Sequence, residues 1–276
     1  MRNVLLTGSE GYIGSILCEK LRENGLGVVE FDKVLGNDIT DFKDIFPLSK
    51  DVDVIVHLAA IVGMESVDQN KDLSYRINVH GTENVLRCGK KTIYASVLAG
   101  YDGYDNVTEE TPVVAKNAYY LQKMEAEKKI SCFDSNVVLR FGSLYGVSRK
   151  MRDDLLVHNL VRESLNGGIN LFQPDFMRPI TCLSDAVGAI MFFCTSGNGG
   201  GIYNIVSNNI SKREIAETIC EVNGSPMNII EDTDSENRNY VVSTEKIRSM
   251  GFEFQSRHFQ RDISEISEYY RKGYCE

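Results

Sequence analysis

Short apolar runs alternate with helical patterns through the first half of this sequence, and this alternation limits the fold more than any other feature. The apolar runs lie at Asn3–Thr7, Gly27–Asp32, Asp53–Leu58, Thr92–Ser96 and Val137–Phe141, and helical patterns lie at Tyr12–Asn24, Leu73–Gly89 and Ala118–Cys132. Strands that alternate with helices form βαβ units around a parallel sheet. The sequence therefore predicts an α/β fold with a Rossmann-type, doubly wound parallel sheet.

The pattern changes at about residue 151. Helices are predicted at Leu155–Leu165, Leu183–Thr195, Ile215–Val222 and His258–Arg271, with a short strand at Ile169–Phe172. Ser211 and Glu214 have the spacing of a capping box ahead of the third of these helices. We therefore predict a dinucleotide-binding Rossmann domain over residues 1–150. A smaller, mainly substrate-binding lobe is expected over residues 151–276, which also adds a strand and a helix to the first domain.

Composition excludes several classes of function. The 276 residues carry a net charge of −9 without any basic run, which disfavours binding to nucleic acid or to an anionic membrane. No apolar run is long enough to span a bilayer. The seven cysteines are odd in number and scattered, and so are the four histidines. This usage predicts free thiols, a cytoplasmic location and no metal site.

A glycine turn follows the first predicted strand and opens the first helix. Gly8, Gly11 and Gly14, with Tyr12 and Ile13 between them, allow a backbone to approach a pyrophosphate at a helix N-terminus. Asp32 ends the second strand, where a carboxylate can accept hydrogen bonds from ribose hydroxyls and repel a 2′-phosphate. The pattern predicts NAD as the cofactor. A glycine-rich turn without a ligand is the alternative.

Tyr119 and Lys123 lie four residues apart on a predicted helix and therefore share one face. An ammonium group near a phenol favours the phenolate, so this pair could transfer a proton to or from a hydroxyl. Such pairs are also common on exposed helix faces. Their position between two predicted strands of the sheet favours the catalytic interpretation.

These motifs resemble the extended short-chain dehydrogenase/reductases, and specifically their NAD-dependent nucleotide-sugar epimerases and dehydratases. The resemblance covers nearly the whole chain, from the Gly-x-x-Gly-x-x-Gly turn opened by Thr7 onward. It implies that Asp38 and Ile39 lie beside the adenine of NAD. It also implies that Leu58, Ala59, Ala60 and Asn78 belong to the cofactor site.

The same resemblance assigns roles to the residues around Tyr119 and Lys123, which we call the chemical end of the site. Tyr119 would be the general base or acid, and Lys123 would also bind the nicotinamide ribose. The family places a Ser or Thr four residues before a Tyr in the loop after this strand, but counting back from Tyr101 reaches Val97. We therefore expect Ser96 to substitute as the third catalytic residue. Since no acidic pair follows Ser96, elimination of water is disfavoured.

The C-terminal half resembles a branch that includes bacterial nucleotide-sugar epimerases and a GDP-heptose C4 dehydrogenase. This resemblance implies that Ser143, Arg152, Arg178 and Arg238 bind a nucleotide-sugar, with the arginines meeting its diphosphate. The implied reaction is hydride transfer at a sugar carbon, C4, by a homodimer. Epimerase, dehydrogenase and keto-sugar reductase stay open, as do a catalytically silent NAD-binding regulator and an enzyme of a small non-nucleotide substrate.

Overall fold

A six-stranded parallel sheet forms the centre of the protein in a computed structural model that describes residues 2–98, 100–101, 104–196, 199–231, 238–255 and 258–273. The strand order is β2-β1-β3-β4-β5-β9. These strands are β1 Asn3–Thr7, β2 Gly27–Phe31, β3 Val54–His57, β4 Lys91–Val97, β5 Val137–Phe141 and β9 Gly201–Ile205. The predicted Rossmann-type sheet is confirmed, and its last strand comes from the C-terminal half of the chain.

Helices cover both faces of this sheet because the strands are apolar on both sides. In the first half they are α1 Gly14–Glu23, α2 Phe42–Ser49, α3 Met64–Gln69, α4 Lys71–Tyr75, α5 Gly81–Arg87 and α6 Ala118–Ile130. The predicted helix over Leu73–Gly89 is divided: a π-helical turn at Arg76–His80 joins α4 to α5. The short helices α2 and α3 were not predicted, because neither sequence shows apolar residues repeated clearly at helical spacing.

The second half adds two small sheets and five helices among the described residues. The strands are β6 Ser143–Tyr145, β7 Ile169–Phe172, β8 Met177–Cys182, β10 Asn208–Ser211 and β11 Met227–Ile230. The helices are α7 Leu156–Leu165, α8 Leu183–Ser196, α9 Lys212–Asn223, α10 Glu245–Ser249 and α11 Phe259–Arg271. Strand β8 lies between antiparallel β10 and parallel β6, while β7 pairs in parallel with β11. The capping box of Ser211 and Glu214 is present at the start of α9.

Two large apolar cores correspond to these two regions. One packs the central sheet against α1 and α8, and the other joins α7, α9 and α11 around residues such as Val161, Ile219 and Ile266. The boundary at residue 150 stays a prediction. In the described part of the chain, we find no helix that is both long and apolar enough to cross a membrane.

Strand order reverses at β1, since β2 lies on one side of it and β3 on the other. The register pairs Thr7 at the end of β1 with His57 at the end of β3. Ligands of open α/β sheets bind in the crevice outside the carboxyl ends of the strands at such a point. The fold therefore places the expected ligand crevice beside the segments that follow Thr7 and His57.

Candidate active site

A cavity of about 870 Å³ opens at the carboxyl ends of the parallel strands. It extends from the glycine turn and Asp32, past Tyr119 and Lys123, to the arginines of the second half. Its volume lies within the range of cofactor and substrate pockets. Of the site residues predicted from sequence, all but Asn78 line it: Gly8, Gly11, Tyr12, Ile13, Gly14, Asp32, Asp38, Ile39, Leu58, Ala59, Ala60, Ser96, Tyr119, Lys123, Ser143, Arg152, Arg178 and Arg238.

The glycine turn is sterically fixed. A Cβ on Gly8, whose φ is +75°, would lie 2.8 Å from the amide nitrogen of Ala59, and a Cβ on Gly14 would overlap the carbonyl oxygen of Gly8. The N-cap residue of α1, Ile13, makes no side-chain cap, and the described first turn of α1 carries no acidic residue. The amides at this helix end are therefore suited to an anion, as a pyrophosphate requires.

Two aspartates shape the end of the cavity beyond the glycine turn. Asp32 accepts hydrogen bonds from the backbone amides of Glu10 and Val34, both at 3.0 Å, which fixes its carboxylate at the end of β2. Asp38 accepts bonds from the amide and hydroxyl of Thr40, and these bonds hold its pKa below the usual value. Both side chains line the cavity and can accept bonds from hydroxyl or amine donors.

A buried histidine connects the glycine turn to the wall of the cavity. His57 Nδ1 lies 2.8 Å from the hydroxyl of Thr7, and Nε2 lies 3.0 Å from that of Thr82. Thr82 donates its own proton to the carbonyl of Asn78, so it must accept from Nε2–H, and Thr7 donates to Nδ1. Burial and the charge of Lys123 lower the pKa of His57 to about 3, which keeps this tautomer neutral.

Asn78, which was predicted to belong to the cofactor site, lies behind the cavity wall and is not among the described residues that line the cavity. Its side chain donates to the carbonyl of Ile61 and to Gln122, and it accepts from the amide of Ile61. Every polar atom of this buried amide is therefore engaged within the protein. Asn78 fixes the segment after β3 against α6, the helix that carries Tyr119.

Tyr119 and Lys123 both face the cavity from α6, and the ammonium group of Lys123 is engaged within the protein. Lys123 Nζ donates to the carbonyl of Ala95 at 2.6 Å and lies 4.2 Å from the ring centre of Tyr94. Burial raises the pKa of Tyr119 to about 12, and the charge that opposes this rise is that of Arg152. Burial also lowers the pKa of Lys123 to about 7.

Ser96, the expected third catalytic residue, lines the cavity but already has a hydrogen-bond partner. Its hydroxyl donates a hydrogen bond of 2.7 Å to the carboxylate of Glu127, inside the protein. In this arrangement its proton is donated to Glu127 and not to a substrate beside Tyr119. Val97 and Leu98, which follow it, line the cavity with apolar groups.

Arg152 is anchored on several sides. Its guanidinium forms an ion pair with Asp154, and its carbonyl accepts a bond from His158 Nδ1 at 2.8 Å. His158 in turn accepts from the amide of Gly146, whose carbonyl binds the hydroxyl of Tyr12 in the glycine turn. These contacts place Arg152 next to the chemical end of the cavity and tie its segment to the start of α1.

The other predicted substrate residues reach the cavity from different elements. Ser143 lies on β6 and Arg178 on β8, where the parallel register pairs Ser143 with Ile180. Arg238 lies a few residues before Val242. Val242 forms a parallel β-bridge with Val107, which lies in the connection between β4 and α6. Three cations that are far apart in sequence thus line one cavity.

Sequence reasoning missed the buried charges below this site. Glu127 and Arg140 form an ion pair of 2.6 Å under the chemical end of the cavity. Glu127 could have been found, because it follows Lys123 at the same four-residue spacing that separates Lys123 from Tyr119. Arg140 gave no comparable signal, since it interrupts an otherwise apolar strand. Among the described residues, no group of three His, Cys, Asp or Glu could hold a metal ion.

The doubly wound sheet, the glycine turn and the Tyr119–Lys123 face define a dinucleotide-dependent enzyme of the α/β class. The sequence pattern of the NAD dependent epimerase/dehydratase family matches residues 4–206, and the chain belongs to this family. The predicted resemblance to extended short-chain dehydrogenase/reductases and the predicted cofactor NAD are thereby confirmed. The glycine turn and Asp32 fit NAD on steric and electrostatic grounds.

Named relatives agree with this family. The chain is 30% identical over 172 residues to a putative UDP-glucose 4-epimerase of Methanocaldococcus jannaschii, an alignment that covers 52% of this chain and 56% of that protein. It is 28% identical over 225 residues to an uncharacterized UDP-glucose epimerase, YtcB, of Bacillus subtilis, covering 68% and 71%. The fold is similar to that of Thermus thermophilus UDP-glucose 4-epimerase in complex with NAD, with a TM-score of 0.80, 22% identity and coverage of 98% and 99%.

Proposed function

We propose that this protein uses NAD to transfer a hydride at a sugar carbon, C4, of a nucleotide-sugar. One observation carries the proposal: a single cavity joins a glycine turn and a fixed ribose-side aspartate to a tyrosine–lysine pair and three arginines. The names of both relatives, which refer to UDP-glucose epimerases, support the same chemistry.

The dinucleotide would lie along the glycine turn. Gly8, Gly11 and Gly14 would leave room for its pyrophosphate at the start of α1, and Asp32 would accept its ribose hydroxyls. Asp38 and Ile39 would flank the adenine. When bound, NAD supplies the site that accepts or returns the hydride.

Tyr119 would exchange the proton that accompanies the hydride. Because burial raises the pKa of Tyr119 to about 12, its phenol is protonated at neutral pH and can donate to a carbonyl oxygen of the sugar. In the opposite direction the phenol must first lose its proton, and the nearby charge of Arg152 stabilises the phenolate. The protonated phenol makes reduction of a keto-sugar nucleotide the second candidate reaction.

The substrate would lie between the two regions of the chain. Arg178 and Arg238 have the planar guanidinium groups that bind diphosphates well, and Arg152 would meet the part of the substrate nearest to Tyr119. Ser143 would contact the sugar. The predicted lobe over residues 151–276 would thus bind the nucleotide and present its sugar to α6.

A panel of nucleotide-sugars tests this function. Turnover is followed by the absorbance of NADH and by chromatography of the products, with Tyr119→Phe as the inactive comparison. Small molecules released from the purified, denatured protein are identified by mass spectrometry in parallel. Thermal stabilisation by a nucleoside diphosphate is expected, because a ligand that binds only the folded protein raises its stability. Stabilisation by no nucleotide would instead indicate a small non-nucleotide substrate.

A catalytically silent NAD-binding regulator is the competing function. The Ser96 hydroxyl bonded to Glu127 and the apolar Val97 favour it, because the family's third donor is missing at this place. Loss of one donor to a developing charge raises a barrier by about 3 kcal/mol. If NAD binds and neither the native protein nor Tyr119→Phe turns over any panel member, the regulator becomes the better description.

We also propose a homodimer that forms through α6 and its neighbour. Exposed apolar side chains, including Tyr75 and Leu121, lie along this face, and a shallow cavity between α4 and α6 supports a packing surface. Light scattering tests this assembly, and a monomeric mass at micromolar concentration would exclude it. The free cysteines of the described residues support a reducing, cytoplasmic location, which cell fractionation can test.

A further inference from the structure

A buried ion pair lies directly beneath the chemical end of the cavity. Arg140, on β5, donates to both carboxylate oxygens of Glu127 at 2.6–3.2 Å, and Ser96 donates to the same carboxylate at 2.7 Å. Arg140 and Glu127 are 8% and 10% exposed. These donors fix the position of the Glu127 side chain and supply the compensation that a buried charged group needs.

Glu127 is also one helical turn from Lys123 on the same face of α6. Lys123 is buried, and the titratable side chains around it are Tyr119 and Glu127 on α6, Tyr94 on β4 and His57 at the end of β3. Of these, only Glu127 carries a carboxyl group, and it opposes the effect of burial on the pKa of Lys123. A buried ammonium depends strongly on such a counter-charge, because the protein interior solvates it poorly.

Arg140 also contacts the connection between β4 and α6. Arg140 donates to the hydroxyl of Tyr101 at 2.9 Å and to the carbonyl of Glu109 at 3.1 Å. Tyr101 packs against Tyr240, whose hydroxyl binds the carbonyl of Leu98 at 3.0 Å. This aromatic pair leads to the segment that begins with Arg238.

We propose that Glu127, held by Arg140 and Ser96, is a positioning residue that provides the counter-charge of Lys123, and that Arg140 couples this charge to the segment carrying Arg238. Glu127 contacts neither substrate nor cofactor in this role. The inference deepens the proposed function, since it concerns the ionisation of the lysine in the same site. Its physical basis is that Glu127, fixed by Arg140 and Ser96, lies one helical turn from the buried Lys123 on the same face of α6.

Direct titration of Lys123 tests the inference without any substrate. The ¹³Cε and ¹Hε signals of labelled lysine are followed against pH, and Lys123→Arg assigns the signal. Glu127→Gln is expected to lower the pKa of Lys123 by about one unit, because the nearby charge is lost and Arg140 stays unneutralised. Glu125→Gln, a change of a partly exposed glutamate on the same helix, is the matched control and should leave the titration unchanged.

Two further variants keep the inference testable if Glu127→Gln does not fold. Glu127→Gln/Arg140→Gln removes both charges and should still lower the pKa of Lys123, by less than the single change. Glu127→Asp retains the carboxylate and should restore most of the native value. An unchanged Lys123 titration in a folded variant without the carboxylate would overturn the inference. Absence of nucleotide-sugar turnover, by contrast, would count against the proposed function alone.

Discussion

The hydroxyl of Ser96, near the end of β4, donates a hydrogen bond of 2.7 Å to the carboxylate of Glu127, inside the protein. The hydroxyl predicted to assist the substrate thus belongs to a buried charge network. What faces the cavity after it is the apolar pair Val97 and Leu98. Proton transfer in the proposed reaction therefore depends on Tyr119.

Replacing the phenol of residue 119 should abolish turnover while leaving NAD bound. Tyr119→Phe removes the proton donor but keeps the ring, so we expect kcat to fall about 10²- to 10⁴-fold. Tyr120→Phe, which changes the adjacent phenol at the same cavity, is the control and should keep most of the activity. Steady-state kinetics and calorimetric titration with NAD measure the two effects. Equal loss in both variants would refute this assignment.

Arg152 should control the ionisation of Tyr119. In Arg152→Gln the charge that lowers the pKa of Tyr119 is gone, so that pKa rises and less phenolate forms at a given pH. The acidic limb of the pH profile for sugar oxidation should move to higher pH by about half a unit to one unit. Arg149→Gln, which changes an exposed arginine paired with Glu19, should not move it. If Arg152→Gln changed only KM and did not move the pH profile, Arg152 would bind substrate without controlling the ionisation of Tyr119.

The start of α1 should not tolerate a side chain. In Gly14→Ala the added Cβ overlaps the carbonyl of Gly8, so we expect a loss of about 2 kcal/mol in the free energy of unfolding together with weaker NAD binding. Gly188→Ala, inside α8, places its Cβ 3.7 Å from the ring of Phe252, an ordinary contact. That control should be neutral or slightly stabilising. Urea denaturation at constant pH compares the three proteins.

Acid should destabilise the fold through His57. The unfolded histidine takes up a proton near pH 6.5, whereas burial lowers the pKa of His57 to about 3 in the folded protein. Its stabilising contribution is therefore present above pH 6.5 and is lost as the pH falls toward 3, about 2 kcal/mol between pH 7 and pH 5.

His57→Gln isolates this effect. The variant should be less stable at pH 7, because the bonds to Thr7 and Thr82 are disturbed, but its stability should fall less between pH 7 and pH 5. His80→Gln, on an exposed surface beside Glu83, serves as the control. If the native protein and His57→Gln lose equal stability over this range, another group causes the acid sensitivity.

The strands of the central sheet were predicted well because buried strands show as continuous apolar runs. Asn3–Thr7 and Val137–Phe141 have the predicted bounds. Strands β8, β9 and β10 were not predicted, because Pro179, Asn204 and Asn208 interrupt the apolar runs and the apolar–polar alternation that indicate strands. Their pairing depends on partners that are distant in sequence, such as Ile180 opposite Asn208.

Local sequence determined the α/β class, the glycine turn before α1 and the shared face of Tyr119 and Lys123, because each depends on residues close together in the chain. Tertiary structure alone decided that Ser96 binds Glu127, that Lys123 binds Ala95 and that Arg152 is the cation that lowers the pKa of Tyr119. Hydrogen-bond partners and charges act over a few ångströms through space, and spacing along the chain does not specify which distant groups the fold brings within that reach.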